Sequence, residues 1–478
     1  MTPLDWAVMA VYFVAVIAIG AHFTRRQHDA ADYFLGRHSL PWWAVMFSIV
    51  ATETSALTVI SIPGLATRSD LTFLQLPIGY LIGRIGVAIW LLPGYFTGDN
   101  ETAYSRLETR FGPATRKVAS AIFMGIRALG DSVRVFATAI PLAIVTGWTI
   151  PTSVIVVAVV TLLYTWAGGI KAVVWVDVMQ LAIYVVGGVA TLVVAWTLLD
   201  SPADSLARAA ELGKLRTFDW SFSFSTTYTF LGGLVGGALL SAASHGTDHL
   251  IVQRLLATRN LPDARKALVG SGILVIGQFA LFLLVGTMLW AVGADDPNLA
   301  SDALFPTFAV AQLPPGVAGI VVAGLLAAAM STVSSSLNSL ASAATHDFYA
   351  PLSRQREPKH LLRVGRWATV GWAIVLAGGA LSFRSTDQPV VELALSIASI
   401  TYGALLGTYM LGGLRRAARQ TDAIVAIGVA TASMLVIVLV KPWVFANLAW
   451  PWYVPLGTLI TVGVGVLMSA FRITPQAS

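Results

Sequence analysis

The chain of 478 residues contains no cysteine, so neither disulfides nor thiolate metal sites are available to it. Charge is nearly as scarce. Asp, Glu, Lys and Arg make up 11% of the residues, against roughly a quarter in an average soluble domain. No Gly-Lys-Ser/Thr phosphate loop occurs and no long hydrophilic stretch forms a separate soluble domain, which disfavours ATP-driven pumping and kinase-linked sensing. No nucleophile–base or metal constellation suggests an enzyme. A cleavable signal is also lacking. The first apolar run, Leu4 to Phe23, is long enough to span a bilayer, and Arg25-Arg26 follows rather than precedes it. What remains is apolar: 56% hydrophobic residues and a mean hydropathy of +0.75. A soluble fold of this length cannot hide that much apolar surface, so its solvent is largely lipid. The net charge of +6 argues for no nucleic-acid partner, because the basic residues form no patch.

Apolar runs cut at charged or Gly/Pro-rich joints predict thirteen helices, over 4–23, 41–67, 72–97, 115–147, 150–168, 172–199, 224–244, 265–293, 315–346, 362–382, 388–412, 421–441 and 448–471. The joint at Gly168-Gly169 reads as a short turn. With the N-terminus outside, 21 of the 30 Lys and Arg residues fall in cytoplasmic loops or the C-terminus, Arg254 among them. Six fall outside, and Arg84, Arg127 and Arg134 lie within spans. That asymmetry predicts an external N-terminus and a cytoplasmic C-terminus in a multi-pass bacterial inner-membrane protein.

Polar residues inside the spans are costly and mark candidate sites. The span 41–67 carries Thr52, Glu53, Thr54, Ser55 and Thr58, then Pro63-Gly64. This suits a broken helix whose unwound carbonyls bind a cation, or a kinked helix whose hydroxyls bond back to its own carbonyls. In the span 315–346, helical spacing puts Ser331, Ser334, Ser335, Asn338 and Ser342 on one face. Neutral hydroxyls with one carboxylate suit a hard monovalent cation, although small polar residues also pack helices together. Asp177 lies about two turns from Lys171 and has no base beside it in sequence. Arg127, Asp131 and Arg134 share a face of the span 115–147. One aspartate there leaves a guanidinium over, which suits a carboxylate or a hydroxylated ligand. Gly232-Gly233 and Gly236-Gly237 predict close packing or a second helix break. His245 and His249 read as a cytoplasmic segment without a third metal ligand.

These segments together resemble the sodium:solute symporter family, from about Tyr12 to Gly413. The marks, in order, are Asp32-Tyr33-Phe34-Leu35-Gly36, Leu107-Glu108-Thr109-Arg110-Phe111, Trp166-Ala167-Gly168-Gly169, Trp175-Val176-Asp177 with Gln180, Gly246-Thr247-Asp248 with Gln253-Arg254, and Met330-Ser331-Thr332. The resemblance implies a leucine-transporter-type core of two inverted five-helix repeats, over 41–199 and 224–412. One extra helix (4–23) precedes them and two (421–471) follow. It implies a first sodium site from Ala51, Thr54, Ala328, Ser331 and Thr332, and a second from Asp177, Ser331, Ser334 and Ser335. Substrate contacts would come from Glu53, Ser55, Thr58, Gln75, Arg127 and Arg134. The expectation is a monomeric, secondary active symporter that imports a small organic solute with one or two sodium ions by alternating access. A sugar acid such as sialic acid heads the candidates, followed by a sugar. Two alternatives stay open: a proton-coupled permease that titrates Glu53, and a solute sensor or channel that does not transport.

Overall fold

The computed structural model describes residues 1–24, 29–98, 101–353, 357–383 and 390–471. Arg25, Arg26, Arg354, Arg356, Arg384 and Arg472, all counted among the loop charges, lie outside them, as does the start of the helix expected from 388. Among the described residues no strand forms, and a lone bridge joins Leu40 to Thr258. Helices dominate because lipid offers backbone N–H and C=O groups no partner, so each segment must satisfy its own.

The main helices are α1 (Pro3–Thr24), α2 (Trp42–Glu53), α3 (Ala56–Arg68), α4 (Gln75–Gly86), α5 (Pro113–Thr146), α6 (Ile150–Thr197), α7 (Gly237–Gly246), α8 (His249–Leu256), α9 (Leu261–Ala291), α10 (Val317–Ala343), α11 (Pro358–Ser382), α12 (Val390–Leu414), α13 (Gln420–Leu435) and α14 (Tyr453–Ala470). Among the described residues ten helices are long and apolar enough to cross a membrane, or eleven if α2 and α3 form one bent span. α10 is the central rod. Of its most apolar stretch 89% is buried, against 28% for α1 and α11, whose leucine, isoleucine and valine side chains face outward as a lipid-bathed surface does. Asp5 docks α1 on this rod, its Oδ1 accepting the Gly316 and Gly319 N–H groups at 2.7 and 2.9 Å. A carboxylate suits a helix start, where backbone donors lack partners.

Two expected joints shape the bundle. The short turn expected at Gly168-Gly169 is present: the 48 residues of α6 are two helices joined across a kink at Gly169, with φ 57° and ψ −158°. A Cβ there would lie 2.6 Å from the Tyr33 carbonyl oxygen. Gly169→Ala is therefore expected to cost about 2 kcal/mol or more, from the left-handed backbone and the collision together. Gly147→Ala also meets a positive φ, but nothing lies within 4 Å, so it should lose less. Equal falls in melting temperature would refute this account of Gly169.

The second is the span expected over 224–244. A wide helical turn at Gly232–Gly236 leads into α7, the helix breaks at Thr247-Asp248, and α8 continues it. The segment read as cytoplasmic is thus the buried second half of a broken helix. Its glycines pack closely too: a Cβ on Gly79 or Gly83 of α4 would meet the Gly233 or Ala238 carbonyl.

Candidate functional site

α2 and α3 meet at a bend of 57°. The break falls at Thr54 (φ −78°, ψ 78°) and Ser55 (φ −72°, ψ 169°), not at Pro63-Gly64. Pro63 sits inside α3 without ending it, and its carbonyl accepts the Thr67 hydroxyl at 2.8 Å. α10 packs against the break. Thr332 donates its hydroxyl to the Thr52 carbonyl at 3.1 Å and approaches the Ala328 carbonyl at 3.4 Å. Backbone oxygens from both helices therefore converge with the hydroxyls of one α10 turn, a donor set that fits a hard monovalent cation.

Below the break lies Asp177, fully buried. Ser331 donates to its Oδ1 at 2.6 Å, and Ser48 to Oδ2 at 2.5 Å. Thr52 reaches Oδ2 at 3.4 Å. The base missing from its sequence neighbourhood comes from α8. Arg254, with no exposed side-chain surface, pairs with Oδ2 at 3.3 Å, bonds Ser48 at 2.9 Å and bonds Ser335. Arg254 is thus a core residue, and a lipid-buried guanidinium requires such a partner.

A cavity adjoins the break, lined by Thr52, Glu53, Thr58, Phe73, Tyr80, Arg127, Arg134, Ser241, Ser244, His245, Asp248, Phe279 and Tyr402, with apolar residues between. Its charges form two groups. Glu53 pairs with fully buried Arg84, and His245 Nε2 stands 3.6 Å from the same carboxylate. Arg127 lies 3.1 Å from Asp131 and 3.4 Å from Asp248, and Arg134 pairs with Asp131. Tyr402 donates to Asp248 at 2.6 Å and accepts from Arg127 at 3.3 Å. Two carboxylates hold two arginines on the cavity wall, so the guanidinium read as left over has Asp248 as partner. Glu53 is likewise no lone acid.

A broken helix packed against a hydroxyl-rich rod beside a polar cavity is an arrangement for transport. The family model described as "Sodium:solute symporter family" matches residues 33–441. The chain belongs to the sodium:solute symporter family. It is an all-α, sodium-coupled symporter, and sodium is one of its two cargoes. A sodium/sialic acid symporter of Aliivibrio fischeri is 31% identical over 97% of this chain and 92% of its own length. That of Proteus mirabilis is 28% identical over 90% and 89%. The human sodium/iodide cotransporter is 27% identical over 90% of this chain and 69% of its own. The symporter also superposes on the solved structure of a Na+-coupled sialic acid symporter with a TM-score of 0.90 and 25% identity, over 99% of this chain and 98% of that one. A nucleobase-cation-symport-1 transporter, at 14% identity and a TM-score of 0.59, shares the leucine-transporter-type fold alone.

The symporter brings most of the expected site residues together. At the break Thr332 reaches the Thr52 and Ala328 carbonyls, Ala51 is buried in the last turn of α2, and Asp177, Ser331 and Ser335 share one hydrogen-bonded cluster. Thr54 turns its hydroxyl to Gln278, leaving its carbonyl for the break. Ser334 bonds back to the Ser331 carbonyl at 2.9 Å. Two expected substrate contacts fall elsewhere. Ser55 is buried but does not line the cavity. Gln75 is tied up outside it: its amide donates to the Thr72 and Tyr228 carbonyls, and its oxygen accepts the Asp219 N–H at 3.0 Å. The residues not anticipated are Asp248, His245, Ser241, Ser244, Tyr80 and Tyr402. For Asp248 a signal existed in the Gly246-Thr247-Asp248 mark. Tyr402 carried none, since an aromatic in an apolar run reads as packing.

Proposed function

We propose that the symporter imports a sugar acid bearing one carboxylate, of the sialic acid type, with sodium. The observation that carries this reading is Arg127 and Arg134 on one cavity wall among the hydroxyls of Thr58, Tyr80, Ser241, Ser244 and Tyr402. A guanidinium fork suits a carboxylate, and dispersed hydroxyls suit a polyol. The sodium/sialic acid symporters to which the chain is similar support it. Sodium site one is assigned to Ala51, Thr54, Ala328, Ser331 and Thr332, and site two to Asp177, Ser331, Ser334 and Ser335. Substrate contacts are assigned to Glu53, Thr58, Arg127 and Arg134.

The proposed frame has thirteen spans, with α6 counted as two and α7 with α8 as one. Two inverted repeats over 41–199 and 224–412 make the core of a monomer in a bacterial inner membrane, with the N-terminus outside. Sodium joins α2 to α10 and orders the break, solute binds beside it, and the repeats rock inward. An inside-negative potential contributes about 2.3 kcal/mol per sodium per 100 mV.

The test is uptake of N-acetylneuraminate into proteoliposomes under an imposed sodium gradient, with thermal stability followed in sodium, lithium and choline chloride. Sodium-specific stabilisation, lost in Ser331→Ala/Thr332→Ala, together with uptake cut at least about tenfold in Arg127→Gln, is the expected result. Uptake unaffected by Arg127→Gln and Arg134→Gln would sink the carboxylate reading.

A further inference from the structure

Every residue of α8 is buried, and this short helix carries an ion pair at each end. At its start, Asp248 caps it by accepting the Leu250 N–H on Oδ1 at 2.9 Å, while Oδ2 faces Arg127 at 3.4 Å in the cavity. Near its end, Arg254 pairs with Asp177 at 3.3 Å in the hydroxyl cluster. Six residues of helix separate the two, a rigid rod of about 9 Å. Between them Gln253 donates to Asn338 of α10 at 2.8 Å. Buried ion pairs stabilise a fold little compared with apolar packing, and their best-attested use is to set a register or a switch.

We infer that α8 is the lever coupling the two cargoes: a solute carboxylate competes with Asp248 for Arg127, sodium competes with Arg254 for Asp177, and each exchange loosens the same helix. This rests on the anionic-solute reading above. The neighbours of each pair make both exchanges feasible. When Asp248 yields Arg127 it keeps the Tyr402 hydroxyl, and Arg127 keeps Asp131 at 3.1 Å. When Arg254 yields Asp177 it keeps Ser48 and the Leu250 carbonyl at 2.8 Å, and Asp177 keeps Ser331. Each exchange leaves Arg254 or Asp248 on neutral hydrogen bonds alone, a cost that the arriving cargo's own contacts must offset. The first cargo to bind breaks one tie, and the second finds the helix partly released. Each therefore tightens the other by the same factor.

The experiment uses the full-length protein in lipid nanodiscs, with N-acetylneuraminate as the solute probe. Its affinity is measured in sodium and in choline for wild type, Asp248→Asn and Arg254→Lys. Asparagine still caps a helix, and lysine keeps the charge while losing the fork, so both variants should fold. Wild type is expected to show a coupling factor of about 5–150, and each variant a factor reduced at least about threefold. Backbone amide exchange over 249–256 is followed in parallel. Sodium should speed it in wild type on the order of tenfold and have less effect in Arg254→Lys. Coupling unchanged in both variants, or exchange unmoved by sodium, overturns the lever. If wild type binds no N-acetylneuraminate, the sugar-acid reading falls, and the sodium-dependent exchange alone then decides the lever.

Discussion

Asp177→Ala is expected to destabilise the symporter by about 3–5 kcal/mol, the usual consequence of leaving a buried partner charge uncompensated. That partner is Arg254, with no exposed surface and no second carboxylate at contact distance among the described residues. Sodium-driven uptake should also fall at least about tenfold, and its sodium dependence should lose any sigmoidal character, since the site proposed at Ala51 and Ala328 does not use this carboxylate. The double variant Asp177→Ala/Arg254→Met separates the two effects. It should recover most of the lost stability and none of the uptake. Melting temperatures and sodium titrations of the three proteins decide the matter. If the double variant regains uptake, Asp177 serves only to neutralise Arg254 and is no ion ligand.

The second large effect is expected at the cavity wall. Arg84→Met leaves Glu53 facing the cavity with only His245 near its carboxylate, and should again cost about 3–5 kcal/mol. Glu53→Gln/Arg84→Met should restore most of that, because a neutral amide needs no counter-charge. The same pair bears on coupling. Arg84, bonded to Glu53 and to Ser271 at 2.7 Å, already supplies the counter-charge of that carboxylate, so Glu53→Gln should leave uptake sodium-driven. A pH gradient replacing the sodium gradient should drive none in wild type. Uptake driven by protons alone, and abolished by Glu53→Gln, would instead restore the proton-coupled reading.

Much of the architecture was legible because lipid is an unforgiving solvent. Each long apolar run had to become a helix, and each polar interruption had to face protein. Thr52 to Thr58 and the α10 serines stood out for that reason, and they do converge. The errors share a cause. The run from His245 to Arg254 is as polar as a loop, and composition alone assigns such a run to water. Its charges are neutralised by Asp177, 77 positions away along the chain, and by Arg127, 121 positions from Asp248. Sequence spacing reports partners along one helix and is silent across helices. Hence Asp177 read as unpaired, Arg127 as half-paired and Arg254 as a topology marker. Gln75 failed differently: an amide inside a span reads as a ligand contact, whereas its partners are backbone groups, the Thr72 carbonyl nearby and the Tyr228 carbonyl and Asp219 N–H far along the chain.

The close contact between α4 and α7 has a consequence for mapping the cavity by mutagenesis. Alanine is normally the blank of a scan, a side chain removed and nothing added. At Gly79 and Gly83 it is an insertion, for its methyl carbon would sit 2.2 Å and 2.1 Å from the opposing carbonyl oxygens. These glycines alternate along α4 with Tyr80, on the cavity wall, and with Arg84, the partner of Glu53. A scan read at face value would record four neighbouring losses of transport and draw a solute site twice its true width. Two of them would be wedges driven between helices. Substrate affinity would tell the classes apart, since a wedge slows turnover at every concentration of solute whereas a lost contact is overcome by adding more.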